Sequence, residues 1–312
     1  MHRKVWQLAR QYIHLRHITR SDSAYSNYTK DSIFVQMDEN MTDLDKIREA
    51  VDYLKAKVLG NIKVGVVLGS GLGSFTDQIE VHLEIPYSVI PHFPVSTVEG
   101  HSGKLIFGRL GNVDLIVMAG RFHYYEGYSP NEVVFPIRVM KLLGVDHLFL
   151  SNAAGGVHPD FKVGDLMIIR DHISFAIRNP LLGKNIDELG PRFPDMSEPY
   201  AKRLINKAIE IANSHNIQLH QGVYFGVTGP TFETRAEYKM IKLVGADAVG
   251  MSTVQEVIVA VHCGMEVFAM SVITDLGIRD EENSITHQEV LDAANEAAPK
   301  LTSIFKQLIQ TI

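Results

Sequence analysis

Short apolar runs recur along this chain, and most are continuous rather than alternating: Val64 to Leu68, Leu115 to Met118, Leu148 to Leu150, Leu166 to Ile169, Val223 to Val227, Ala248 to Met251 and Val267 to Val272. A strand with one wet face alternates apolar and polar residues, whereas an unbroken run belongs to a strand covered on both faces. Helical periodicity fills the gaps, over Glu132–Leu143, Tyr200–His215, Arg235–Leu243, Thr253–His262 and His287–Leu308. An earlier helix follows Thr42 and Asp45, which have the spacing of a capping box, and carries Ile47, Val51, Leu54 and Val58. Strands alternating with helices predict an α/β fold with a central mixed, mostly parallel β-sheet flanked by helices. No linker, repeat or low-complexity tract follows residue 41, so 42–312 reads as a single domain.

Residues 1–41 read differently. Arg3, Lys4, Arg10, Arg16 and Arg20 precede any acidic residue, and the stretch from Ser21 to Asn40 is polar and aperiodic. It has neither an apolar h-region nor a cleavage signal, so we expect a poorly ordered extension, or residues upstream of a start at Met37 or Met41, rather than a targeting segment. Such a segment is expected to be dispensable for folding and activity. The formal net charge of −6 provides no global basic field for nucleic acid or an anionic membrane. The single Cys263 cannot form an intrachain disulfide, and no run of about 18 apolar residues offers a membrane span, so a cytoplasmic setting is expected.

The apolar runs end in residues suited to chemistry. Gly69-Ser70-Gly71-Leu72-Gly73 follows the first run; it lacks the third glycine of a dinucleotide fingerprint and the lysine of a P-loop, and reads equally as a bare turn or an anion cradle opening a helix. Arg121 and His123 lie two residues apart after the second run, an arrangement that points both into the crevice where open α/β sheets bind ligands. A structural pair between Arg121 and Glu126 is the alternative. Ser151 to Gly156 supplies small residues for close backbone approach, Phe232 and Glu233 an aromatic face beside a carboxylate, and Ser252 a hydroxyl at a helix start. Asp275 follows the last run and His287 begins the last helix. HExxH and CxxC motifs are absent and the histidines are scattered, so no metal is expected.

Together these residues resemble a known family. GSGLG at 69–73, GH at 100–101, GRFHYYEGY at 120–128, SNAAGG at 151–156, GPTFET at 229–234 and GMSTVQEV at 250–257 are similar, in order and spacing, to the trimeric class of purine nucleoside phosphorylases. The resemblance implies reversible phosphorolysis of a purine nucleoside by inorganic phosphate in a homotrimer, without metal or organic cofactor. By position it assigns phosphate to Ser70, His101, Arg121, His123, the Ala153 amide and Ser252, and ribose to Tyr125, Met251 and His287. Glu233 and Asp275 would take the purine, with Phe232 against its face. Catalytic roles fall on His123, Glu233, Asp275 and His287.

The sequence departs from that pattern at Asp275, where members specific for 6-oxopurines usually carry Asn. An ionised Asp only accepts hydrogen bonds and would face a 6-oxo group with like polarity, whereas a protonated one donates. The expectation is a protonated Asp275 and a preference for inosine and guanosine, with weak turnover of adenosine. The segment from Ser174 to Asn179 is shorter than in mammalian-like members, and Phe175 is its candidate to cap the ribose of a neighbouring subunit. The alternatives are a methylthioadenosine phosphorylase and a nicotinamide-dependent oxidoreductase built on GSGLG.

Overall fold

The β-strands are β1 (Val64–Val67), β2 (Glu80–Pro86), β3 (Lys104–Leu110), β4 (Val113–Ala119), β5 (His147–Gly156), β6 (Leu166–Ile173), β7 (Leu219–Gly226), β8 (Ala248–Gly250) and β9 (Glu266–Leu276). Among the described residues the α-helices are α1 (Asp43–Lys55), α2 (Pro130–Val133), α3 (Phe135–Leu143), α4 (Lys202–Ser214), α5 (Arg235–Leu243), α6 (Val254–His262) and α7 (His287–Ile309). The computed structural model describes residues 41–58, 60–97, 102–277 and 285–312. The extension expected over 1–41 therefore lies, save its last residue, outside the described residues, and so does His101.

From Leu44 to Ile312 the chain forms one compact unit around a single sheet of order β2-β3-β4-β1-β5-β8-β7-β6-β9. Among the described residues, five of its strand pairings are parallel and four antiparallel. Because β9 pairs with both β6 and β5, the strands β5, β8, β7, β6 and β9 close on themselves, while β1, β4, β3 and β2 extend outward from β5 as an open arm. Closure removes the edge that β9 would otherwise expose.

Two features of the sheet escape the apolar-run reading. β2 buries only Ile85 along an exposed face, and β3 is broken by Gly108, so neither shows an unbroken run. The runs ending at Leu150 and Val272 belong to longer strands: β5 and β9 pair in parallel from His147 to Gly156, with a register shift between Ala154 and Gly155. Small and polar residues are tolerated there because the backbone ladder, rather than apolar side chains, holds the strand ends together.

The helix expected over Glu132–Leu143 is two helices, α2 and α3, interrupted at Val134. Pro136 has no N–H to donate to the preceding turn, which accounts for the break. The longest helix, α7, is anchored through Phe305, whose ring meets Phe149 of β5 and Phe268 of β9 at 5.5 and 5.9 Å. A capping box between Thr286 and Glu289 fixes its other end, with the Thr286 N–H donating to Glu289 Oε2 at 2.9 Å. His287 is thus held at a rigid helix start.

Candidate active site

The C-terminal ends of β1, β4, β5, β8 and β9 meet around a crevice of about 370 Å³, which α7 reaches with its first turn. All the site residues anticipated from the sequence, apart from His101, line it: Ser70, Arg121, His123, Tyr125, Ala153, Phe232, Glu233, Met251, Ser252, Asp275 and His287.

One end is rich in donors. Arg121 is 1% exposed; its Nε and Nη2 donate to the Glu256 carboxylate of α6 at 3.1 and 2.9 Å, and its Nη1 donates to the Ser151 carbonyl. Arg121 is therefore paired with Glu256, while Glu126, the alternative partner considered from sequence, holds His123. Glu126 Oε1 accepts from the His123 backbone N–H at 2.8 Å and lies 3.1 Å from His123 Nδ1. Its Oε2 accepts from the Thr97 N–H at 2.9 Å and the Thr97 hydroxyl at 2.6 Å. Burial alone would raise the Glu126 pKa, but these donors bring it down to about 2. The anionic Glu126 places a proton on Nδ1 of His123, leaving Nε2 for a ligand. Burial lowers the His123 pKa against the pull of Glu126, favouring the neutral ring. Tyr125 stacks on that ring at 4.6 Å, and burial pushes its pKa up to about 12.

The GSGLG loop plays a packing role. The Gly69 N–H donates to Ser151 Oγ at 3.2 Å, and a Cβ there would lie 2.8 Å from the Ser151 carbonyl oxygen. Gly71 has φ +73°, and its face is filled by Ala294 of α7. The loop opens a six-residue 3-10 turn, Gly73–Gln78, in place of the expected helix.

Ser252 sits beside an unusual turn. Thr253 has φ 72° and ψ −51°, and the Val254 N–H donates to the Ser252 carbonyl at 2.8 Å, which makes a γ-turn of the rare hand. A β-branched residue with positive φ is strained. Asn152 Nδ2 donates to Thr253 Oγ1 at 2.8 Å, and the Thr253 carbonyl accepts the Val257 N–H at 2.9 Å, so β5 and α6 hold the turn.

The other end carries carboxylates. The register shift between β5 and β9 leaves Thr274 as the extra residue, and both Thr274 and Asp275 line the crevice, which a regular strand would not allow for neighbours. Thr274 Oγ1 donates to Asp275 Oδ1 at 3.2 Å, and the Tyr238 hydroxyl of α5 approaches Oδ2 at 3.5 Å. Two hydroxyl groups thus face the two Asp275 oxygens, an arrangement that an ionised carboxylate can satisfy. Burial raises the pKa of Glu233, and the neighbouring Asp275 adds to the effect.

Sequence reasoning missed Glu256, Tyr238, Thr253 and Thr274. Glu256 had left a signal, a carboxylate in the largely apolar helical stretch VQEVIVAV. The role of Thr274 depends on a strand register that sequence periodicity does not encode.

A family model described as the phosphorylase superfamily matches residues 63–310. Over 266 residues the chain is 50% identical to purine nucleoside phosphorylase 1 of Geobacillus stearothermophilus, covering 85% of this chain and 97% of that one. A solved structure of Schistosoma mansoni purine nucleoside phosphorylase in complex with adenosine matches with a TM-score of 0.83 at 40% identity, over 87% of this chain and 99% of its own. A Schistosoma purine nucleoside phosphorylase in complex with hypoxanthine matches at 0.82 and 39%, over 88% and 99%.

Proposed function

This chain belongs to the phosphorylase superfamily and, within it, to the purine nucleoside phosphorylases, and we propose that its crevice performs the reversible phosphorolysis of purine ribo- and deoxyribonucleosides, with inosine and guanosine preferred. The observation that carries this reading is the meeting, in one crevice, of a donor-rich end at Arg121, His123 and Ser252 with a carboxylate end at Glu233 and Asp275. Phosphate is held by Ser70, Arg121, His123, the Ala153 amide and Ser252, with His101 as a further contact. Tyr125, Met251 and His287 hold the ribose between phosphate and base, and Phe232 covers the purine.

In the reaction the C1′–N9 bond breaks and its electron pair leaves with the purine. A phosphate oxygen bonds to C1′, and the proton that phosphate loses equals the one the free purine gains. The ribosyl group passes through an oxocarbenium-like state, which the held phosphate stabilises before attacking. Glu233 accepts from N1–H of a 6-oxopurine, and Asp275 accepts from a proton at N7, so that negative charge gathering on the leaving base is neutralised. No metal or organic cofactor takes part; phosphate is a co-substrate.

The same reading takes the protein as a cytoplasmic homotrimer. Phe175 and Phe193 are 92% and 87% exposed in the single chain, apolar area suited to cover by a neighbouring copy. Among the described residues no helix is long and apolar enough to cross a membrane. An oxidoreductase built on GSGLG is disfavoured because the loop opens a short 3-10 turn with no helix N-terminus for a pyrophosphate. A methylthioadenosine phosphorylase is disfavoured because Glu233 matches the N1–H that adenine lacks.

Mixing the protein with inosine and phosphate is expected to release equal amounts of hypoxanthine and ribose 1-phosphate, with no release when phosphate is omitted. By kcat/KM, inosine and guanosine should lead and adenosine should be slow but measurable, with Asp275→Asn slowing adenosine further. Adenosine outperforming inosine would overturn the stated preference, and methylthioadenosine outperforming both would favour the alternative enzyme.

A further inference from the structure

The carboxylate end contains a residue for which the reaction as described has no task. Tyr238 lies on α5, one residue beyond the Thr234–Glu237 capping box that starts the helix immediately after Glu233. In that box the Thr234 N–H donates to Glu237 Oε2 at 2.7 Å and Thr234 Oγ1 accepts the Glu237 N–H at 3.2 Å, so Glu233 and Tyr238 are set by the same rigid turn. The Tyr238 side chain is 4% exposed, packed with Val157, Phe225, Ile241 and Val249, yet it lines the crevice. Its ring lies against Gly277, where a Cβ would run into it. Ring and hydroxyl are therefore fixed in place.

The hydroxyl stands between two carboxyls. It is 3.5 Å from Asp275 Oδ2, a long and weak bond, and Glu233 is near enough to act on it electrostatically. Asp275 Oδ1 already accepts from Thr274. A carboxylate that only accepts can receive a proton at N7 of the leaving purine but has nothing to donate to a 6-oxo group. The Tyr238 hydroxyl is a neutral donor beside Asp275 in the crevice wall, and a hydroxyl rotates to donate or accept as its partner requires.

We propose that Tyr238 is a specificity-determining residue of the base site: its hydroxyl donates to the 6-oxo group of the purine while Asp275 accepts at N7, and by rotating it accepts from a 6-amino group instead. Tyr238 and Asp275 together thus do the work of one amide side chain, which donates and accepts through a single planar group. This inference rests on the phosphorolysis reading above. Burial together with the two neighbouring carboxyls raises the Tyr238 pKa well beyond its ordinary value, so the donor stays protonated at every working pH. The proposal also gives Gly277 a purpose, since any larger residue there would displace the ring that carries the hydroxyl.

Tyr238→Phe tests the proposal, because it removes the hydroxyl and keeps the packed ring. Its kcat/KM should be measured with inosine, adenosine and purine riboside, which has only hydrogen at C6. The 6-oxo group gains charge as the glycosidic bond breaks, so inosine is expected to fall about tenfold or more. Purine riboside should stay within about twofold, and adenosine should fall less than inosine. The ratio of inosine to purine riboside within one preparation is independent of the folded fraction, so partial unfolding cannot mimic the result. An equal fall on all three substrates, or an unchanged inosine rate, would overturn the proposal. Failure of the parent protein to cleave any of the three would overturn the phosphorolysis reading itself.

Discussion

Arg121→Ala is expected to lose at least ~10²-fold in kcat/KM for phosphate, with a raised phosphate KM, because it removes a forked cationic donor from a site where charge develops. The structure adds a second consequence. Arg121 is also the partner of the buried Glu256, and removing one member of such a pair leaves an uncompensated charge in the interior at a cost of about 3–5 kcal/mol. The single variant should therefore be less stable as well as slow. The double variant Arg121→Met with Glu256→Gln separates the effects, since it removes both charges and keeps most of the volume. It is expected to recover most of the lost thermal stability and none of the phosphate saturation. Phosphate kinetics close to the parent's in either variant would remove Arg121 from the anion site. Recovery of activity in the double variant would reduce it to a structural partner of Glu256.

Glu233→Ala should be the most selective lesion. A site built to accept from N1–H is left with a hydrogen-bonding hole, and sites of that kind discriminate strongly. Inosine and guanosine are expected to lose at least ~10²-fold in kcat/KM and adenosine much less, since its N1 bears no proton. Equal losses would show that Glu233 does not read N1. The pKa of Glu233 is raised by burial, with Asp275 adding to it, so the ionised form needed to accept is lost at a pH above the ordinary carboxylate range. The parent's inosine kcat/KM should decline on that acidic limb, and Glu233→Gln should remove the limb. Stability follows the opposite sign: a carboxyl whose folded pKa is raised stabilises the fold while protonated and loses that contribution as pH rises through the folded pKa. Glu233→Gln should therefore melt higher than the parent at neutral and alkaline pH, and the gap should close in acid. A variant that melts lower at every pH would contradict that origin of the shift.

Much of this crevice could be read in advance because many of the residues that line it stand at or just after strand ends, where an apolar run stops and a polar or small residue follows. Arg121, His123 and Ser252 sit at such boundaries, and Glu233 lies in the loop between β7 and α5. The supporting residues do not. Glu256 reaches Arg121 across 135 positions of chain, and no local pattern encodes that pairing. Tyr238 had the position and burial of an ordinary core aromatic on an amphipathic helix, and only the carboxyls around its hydroxyl distinguish it. Asp275 was readable as a departure in residue type, but its contact with Thr274 depends on the bulge that brings Thr274 to the same side. The same limit governed the fold. The strands covered on both faces were evident, whereas β2 on the exposed arm and the extended ends of β5 and β9 are held by backbone pairing that leaves little trace in hydropathy.

The bent backbone at Thr253 bears on how this molecule should fail on heating. A non-glycine residue held at positive φ carries on the order of 1–3 kcal/mol of strain, and it persists only while the neighbouring structure insists on it. Here that insistence comes from Asn152 and the first turn of α6. As thermal motion loosens those supports, the turn beside Ser252 has more to gain by relaxing than any regular strand around it, so local opening at the anion site should come before global melting. Catalytic activity is then expected to fade several degrees below the unfolding midpoint of the phosphate-free protein. Saturating phosphate, expected to bind only the intact turn, should draw the two temperatures together. Coincident inactivation and unfolding without phosphate would mean that the strain is shared through the whole core, and that the site lasts as long as the fold does.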